Sequence, residues 1–193
     1  MIHNEIEYTQ IPYAPTYYIS RCGKVVSLKD GCIRNVGISQ TRKGYYVCNL
    51  VDINNCRRIC KVHRLVANTF LGFDLISNAG RCDIHINHID MNKNNNHVLN
   101  LEVISLCENV RHYSINTTQL LIGVYIHPLS KKYFSCICVS GKRHYLRGHK
   151  TPEQAHKAYI DAFIRYGLRD KYVEQLPAYK EAMMLKGVGA SIV

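Results

Sequence analysis

Cutting a phosphodiester bond with water takes a base, oxygen ligands that hold a divalent cation, and a scaffold that keeps both in register. The stretch INHIDMNKNNNHVLNLEVISLCEN, from Ile86 to Asn109, combines one histidine in an apolar-flanked run with a series of asparagines, at a spacing that suits such a site. The surrounding pattern says how these residues are positioned. Ile84 to Ile89 alternates apolar and polar side chains, which predicts a strand with Asn87 and His88 at its end. Asp90 to Asn96 consists almost wholly of turn formers and reads as a hairpin loop. A returning strand is expected at about Leu101 to Ile104. Ser105, with Glu108 three residues later, forms a capping box that starts a helix at Leu106 and puts Asn109 on its first full turn.

This strand, loop, strand, helix order and its residues resemble the HNH nucleases, in particular the homing-endonuclease branch, whose core reads VNHIDGNK-x-NN-x₃-NLE-x₅-EN. The resemblance implies His88 as general base, Asn100 as the middle asparagine that braces the loop, and Asn87 and Asn109 as metal ligands. Asparagine offers a neutral carbonyl where some relatives use aspartate, so less charge and more water would hold the cation. The implied cofactor is a divalent metal, Mg²⁺ first and Mn²⁺ as the alternative. Met91 stands where glycine is usual, which matters if that position takes a positive φ. Val103 replaces a tryptophan at a packing position. His112, three residues after Asn109, is an alternative ligand or a phosphate contact. An Asn-rich hairpin loop is common by itself. The joint match at Asn87, His88, Asn92, Lys93, Asn95, Asn100 and Asn109 is what carries the resemblance.

A chain of 193 residues can hold one medium domain or two small ones. Its net charge of +11 and pI near 9.3 suit a polyanionic partner. The excess is uneven, because from Ser114 onward 12 Lys or Arg face 5 Asp or Glu. The apolar runs fall far short of the roughly 20 residues a membrane span needs. The N-terminal MIHNEIEYTQIPY carries acids and no apolar h-region, so a soluble, intracellular and non-secreted protein is expected. Nine cysteines, an odd count without a sign of export, are expected to be buried thiols. Cys56, Cys60 and His63 raise the question of structural zinc. No C-x₂-C pair occurs, and on a strand Cys56 and Cys60 would lie roughly 13 Å apart at about 3.3 Å per residue, so zinc is not expected.

Residues 1 to 62 read as short β-prone runs, such as Tyr17 to Ile19, Val25-Val26 and Tyr45 to Val51, broken by Gly23, Gly31, Gly37 and Gly44. YTQIPYAPTYYISRCGKVVSLKDG resembles the small module that precedes the nuclease core in phage and intron homing endonucleases. Such a module is expected to extend the sheet and to lay Arg21, Lys24, Lys29, Arg42 and Lys43 along DNA. VHRLVANTFLG predicts a short helix with Leu65, Val66, Thr69 and Phe70 on one face and Gly72 at its end. In the family such residues as His63 and Arg64 lie near the cleaved strand, while a satisfied core histidine is an equal alternative for His63.

Beyond a polar link at Ser114 to Gln119, three short strands are expected: Gly123 to His127, Tyr133 to Val139, and Arg143 to Leu146. A helix follows, with Thr151 as N-cap, Pro152 at N1 and Gln154 completing a capping box. Its Ala155, Ala158, Tyr159, Ala162, Phe163 and Tyr166 make one apolar stripe, which Gly167 ends. This part resembles the DNA-binding domain of plant ethylene-response factors, in which alternate strand residues enter the major groove. That resemblance assigns DNA contacts to Tyr125, His127, Cys136, Cys138, Arg143 and Tyr145, with Arg143 the best candidate for guanine. Lys93, Lys131, Lys132 and Arg147 complete the expected DNA-binding set.

The expected fold class is α+β. It comprises a β-rich N-terminal module (1–62), an HNH ββα-metal core (63–113), a linker (114–121), a three-stranded antiparallel sheet packed on one helix (122–168) and a tail (169–193). The expected function is a site-specific DNA endonuclease of homing type, acting on double-stranded DNA as a monomer that nicks one strand. The alternative is a catalytically inactive, sequence-specific DNA-binding regulator. An RNA-directed nuclease finds no support in a groove-reading sheet.

Overall fold

A computed structural model describes residues 1–75, 77, 83–117, 121–140 and 142–189. The chain divides into two compact units, Met1–Leu106 and Cys107–Val193.

The first unit begins with β1 (Ile2–His3), β2 (Ile6–Ile11), β3 (Ala14–Ser20), β4 (Val25–Lys29) and β5 (Cys32–Asn35), an antiparallel meander in sequence order. A second meander follows, β6 (Ile38–Gln40), β7 (Tyr46–Val51) and β8 (Arg57–Lys61). Helix α1 (Val62–Phe70) leaves β8 without a loop, and the hairpin β9 (Ile84–His88) and β10 (Leu101–Ser105) closes the unit. Apolar residues at i, i+3 and i+4 give α1 a buried stripe of Val62, Leu65 and Val66. Ile11, Ile19 and Val25 of the first meander, Cys48 and Leu50 of the second, and Val98 and Leu101 of the hairpin all join the same core as that stripe. Each fully buried Leu, Ile or Val there contributes about 1.5–3 kcal/mol over exposure.

The expected boundary between residues 62 and 63 is therefore absent. The inward faces of β3 and β7 and the inner side of the hairpin all need α1 as their cover, so module and hairpin fold as one body. Nor does the module extend the hairpin's sheet, because β9 and β10 pair only with each other. Its contacts with the hairpin include a side-chain bond from Gln40 to Asn94 and a backbone bond from Val98 N to Arg21 O at the β3–β4 turn. Gly23 sits there at φ 85°, and a Cβ on it would meet Val62 Cγ1 at 2.8 Å and Asn96 Cβ at 3.1 Å. Glycine both permits that φ and lets the turn press on α1 and the hairpin loop.

The second unit holds α2 (Leu106–Thr117), β11 (Val124–Ile126), β12 (Tyr133–Val139), β13 (Lys142–His149), α3 (Pro152–Arg165), α4 (Lys171–Glu174) and α5 (Pro177–Gly189). The strands form one antiparallel sheet in the order β11-β12-β13. The Thr151 hydroxyl accepts from Gln154 N and caps α3, while Gln154 Oε1 accepts from Lys150 N. Ile137 of the sheet packs with Tyr159, Ile160, Ala162 and Phe163 of α3, as the stripe predicts, although Tyr166 falls past the helix and is exposed. Ser114 to Thr117 are the last turn of α2 rather than a link, and 118–120 lie outside the described residues. Val173 and Tyr179 belong to the core around Phe163, so the part after 168 packs as structure and is not a detached tail. Arg111 of α2 pairs with the buried Asp170, whose Oδ1 also caps α4 through Tyr172 N and Val173 N.

Cysteine placement departs from expectation. Cys48 and Cys60 are buried as cross-strand partners, and burial pushes the Cys48 thiol up to about 12. Cys22 and Cys56 are exposed in turns, Cys107 on α2, and Cys32 and Cys138 on strands. No helix among the described residues is long and apolar enough to cross a membrane.

Candidate active site

The hairpin loop is organised around two side chains. Asn100, buried at the foot of β10, donates from Nδ2 to Asp90 Oδ1 and to Asn95 O, both at 2.8 Å, and accepts from Asp90 N at 3.0 Å. Asp90 in turn accepts from Asn92 N and from Asn95 Nδ2, each at 2.8 Å. Burial pushes the Asp90 carboxyl up, but the donors from Asn95, Asn100 and the Asn92 backbone outweigh it and hold the group below its ordinary value. Asp90 was read from the sequence only as a turn former, yet it is the acceptor on which the loop closes.

Met91 takes φ 64°, so the position does require the left-handed conformation that glycine accepts. For a non-glycine residue this costs about 1–2 kcal/mol. Met91→Gly should relieve it at an entropic cost of about 0.5–1 kcal/mol, leaving a net gain of about 0.5–1 kcal/mol. Urea denaturation of the two proteins measures the difference, and a lower midpoint for the glycine variant contradicts the strain.

His88 ends β9 with only 5% of its surface exposed. Its Nε2 lies 3.2 Å from Asn96 Oδ1, an atom that only accepts, so the ring carries its proton on Nε2 and its lone pair on Nδ1. Burial lowers its pKa below the usual histidine value, against the raising effects of Asn96 and Asp90. A neutral imidazole with a defined basic nitrogen is the form a general base needs. His63, the second residue of α1, meets His88 edge-on with ring centroids 5.0 Å apart. Tyr45 lies 5.1 Å from His63 and 6.2 Å from His88. Burial, then the neighbouring His88, Lys61 and Arg64, push His63 down to about 3, and its Nδ1 is buried without a hydrogen-bond partner. Asn96, Tyr45 and Lys61 were missed from the sequence. Asn96 differs from its exposed neighbour Asn94 only in the direction the loop turns it, and Tyr45 lies more than forty residues before His88.

Asn87 is buried on the strand beside His88 and donates from Nδ2 to Glu102 Oε1 at 2.8 Å. That bond fixes which end of the amide is nitrogen, so a cation would be met by Oδ1. A neutral carbonyl oxygen fits a hard divalent cation such as Mg²⁺ and not a soft one. Among the described residues no three His, Cys, Asp or Glu side chains converge as a metal cluster. Asn109 and His112 lie on α2 in the second unit. The His112 ring is buried against Tyr172, with centroids 4.5 Å apart.

The expected DNA-contacting cations separate into groups. Lys43 and Lys93 come together, with Lys93 Nζ donating to Lys43 O at 3.2 Å, and Arg42 is exposed one residue before. Arg64 covers Phe73, and Arg21 covers Phe70 while its carbonyl accepts from Val98 N. Lys24 is exposed beside Gly23 on the β3–β4 turn.

In the second unit, strand register puts Tyr125 opposite Phe134, Cys136 opposite Tyr145, and Cys138 opposite Arg143. These side chains share the face that α3 does not cover. Tyr125 stacks on Phe134 at 5.4 Å, Phe134 lies 6.2 Å from Tyr145, and the Arg147 guanidinium sits over Tyr145. Phe134 is a further member that the resemblance did not supply. His127 falls past the end of β11, where its Nδ1 accepts from Ser130 N in the turn that carries Lys131 and Lys132, so it is not one of the alternating strand residues.

The hairpin holds His88 against Asn96, with Asn87 beside it and with Asn100 bracing the loop as the sequence pattern led one to expect. The chain is 36% identical over 111 residues to the uncharacterized HNH endonuclease L245 of Acanthamoeba polyphaga mimivirus. It is 35% identical over 112 residues to YosQ of Bacillus subtilis (strain 168), an SPbeta prophage-derived protein with a provisional HNH homing endonuclease name. Each alignment covers 58% of this chain, but only 31% of the mimivirus protein and 57% of YosQ. A solved structure described as DNA binding and cleavage by the HNH homing endonuclease I-HmuI shows 23% identity and a TM-score of 0.48 over 85% of both chains. No model of a known protein family matches.

Proposed function

We propose that this protein is a site-specific, metal-dependent DNA endonuclease of the HNH homing type that nicks one strand of double-stranded DNA as a monomer. The observation that carries it is the state of His88: buried, neutral, and with its tautomer set by Asn96 so that Nδ1 holds the lone pair. The relatives' names support the class.

In this reading His88 Nδ1 takes the proton of the attacking water, the new P–O bond forms, and the bond to the 3′ oxygen breaks. Asn100 keeps the loop that carries Asp90 and Asn96 closed around the base. Asn87 Oδ1 would hold Mg²⁺, with Asn109 as the second ligand on the strength of the sequence pattern alone. Bound there, the cation supplies charge stabilisation to the scissile phosphate and the leaving oxygen. Mn²⁺ fits the same oxygen donors. The open face of the second unit, with Tyr125, Phe134, Tyr145, Arg143 and Arg147, would read DNA, and the excess charge after Ser114 favours a polyanion.

A supercoiled-plasmid assay tests the assignment. Open circles should accumulate with Mg²⁺ and not with EDTA. A protein that binds DNA tightly yet nicks none, including DNA flanking its own gene, would be the regulator. The lack of a carboxylate cluster among the described residues is the feature that favours that second reading.

A further inference from the structure

We infer that Lys61, Lys93, the Tyr45 ring and the N-terminus of α1 form a seat for one backbone phosphate of a DNA strand beside His88, an inference that rests on the nuclease reading above. Lys61 Nζ lies 4.6 Å and Lys93 Nζ 5.0 Å from the centroid of the same Tyr45 ring, which is itself 6.2 Å from the His88 ring. One ammonium comes from the end of β8 and the other from the hairpin loop, so the fold brings two like charges to one place.

Among the described residues no ion pair offsets them. Ion pairs among the described residues join Arg58 to Asp52, Arg111 to Asp170 and Arg169 to Glu174, and none involves Lys61, Lys93, Lys43 or Arg64. The Lys61 ammonium is held below the ordinary lysine value, first by burial and then by Arg64, Lys43 and Lys93. A site that gathers cations at an electrostatic cost is completed by an anion.

The helix end adds to this. Lys61 is the N-cap residue of α1, no side chain caps the helix, and its first turn carries no acid. The partial positive charge of that end, and the N–H groups of its first turn, suit a phosphate. A further signal comes from His63, whose buried Nδ1 has no partner and whose ring lies 5.1 Å from Tyr45. Buried polar atoms without partners are uncommon and point to something that completes them. A phosphodiester, whose single negative charge is shared by two non-bridging oxygens, can accept from both ammoniums at once.

The test uses the full chain and a labelled DNA duplex, with Lys61→Met, Lys93→Met and Lys61→Arg. Binding is read in EDTA, where no cleavage intervenes, over a series of salt concentrations. Together the two Met substitutions should flatten the slope of log K against log salt by about 0.9, the share of one phosphate contact, and each alone should remove part of it. Each should also slow Mg²⁺-dependent nicking by about tenfold or more, and Lys61→Arg should restore both. Met variants whose salt slope equals wild type overturn the seat, whatever happens to nicking. Wild type that shows the full slope but never nicks would instead remove the nuclease reading and leave the seat standing. Thermal melts of both Met variants confirm that folded proteins are being compared.

Discussion

His88→Ala should lower the nicking rate by about a thousandfold or more, since a positioned general base is worth about 10²–10⁴ in rate. DNA binding in EDTA should stay within about twofold, a small fraction of the 1.4 kcal/mol that a tenfold change represents. The split follows from geometry. His88 is almost wholly buried and bonded to Asn96, so it offers little surface for holding DNA, and in the proposed mechanism it accepts a proton at Nδ1. Its pKa is lowered, chiefly by burial, so the neutral form extends to lower pH than for a free histidine. Nicking should thus be flat above about pH 7 and fall only on the acid side, below the ordinary value of about 6.5. An alanine variant with full nicking would end the assignment of His88 as base.

The second large effect concerns stability in acid. His63 has a folded pKa of about 3 against an unfolded value of 6.5, because burial and its cationic neighbours disfavour the charged ring. A depressed folded pKa means that the unfolded chain binds the proton first. Stability is therefore full above the unfolded pKa and is lost as pH falls through the window from about 6.5 to about 3. Each pH unit inside that window costs about 1.4 kcal/mol, so roughly 2 kcal/mol is gone by pH 5. His63→Phe keeps a ring against Tyr45 and His88 but cannot take a proton. The difference in unfolding free energy between pH 7.5 and pH 5 should shrink by about 2 kcal/mol in this variant. Equal acid sensitivity in both proteins would show that His63 is not the group responsible. His88 faces the same ring and also titrates low, so the phenylalanine variant retains that smaller dependence.

The local devices of this chain were open to sequence reasoning because each is decided within a few residues. Alternation at Ile84 to Ile89, the turn formers after it and the return at Leu101 specify the hairpin. Thr151, Pro152 and the stripe through Phe163 specify α3. The glycine missing at Met91 correctly marked a position of positive φ.

What the sequence determined by itself was the short elements and the candidate residues they carry, since spacing and period are local quantities. The tertiary structure alone decided which of these residues meet. Shared burial on α1 fused the β-rich module with the hairpin, and in doing so set Tyr45 and Lys61 beside His63 and His88. Such contacts arise from packing between segments whose sequences carry no mark of one another. For the same reason Val173 and Tyr179, expected in a tail, lie in the core around Phe163.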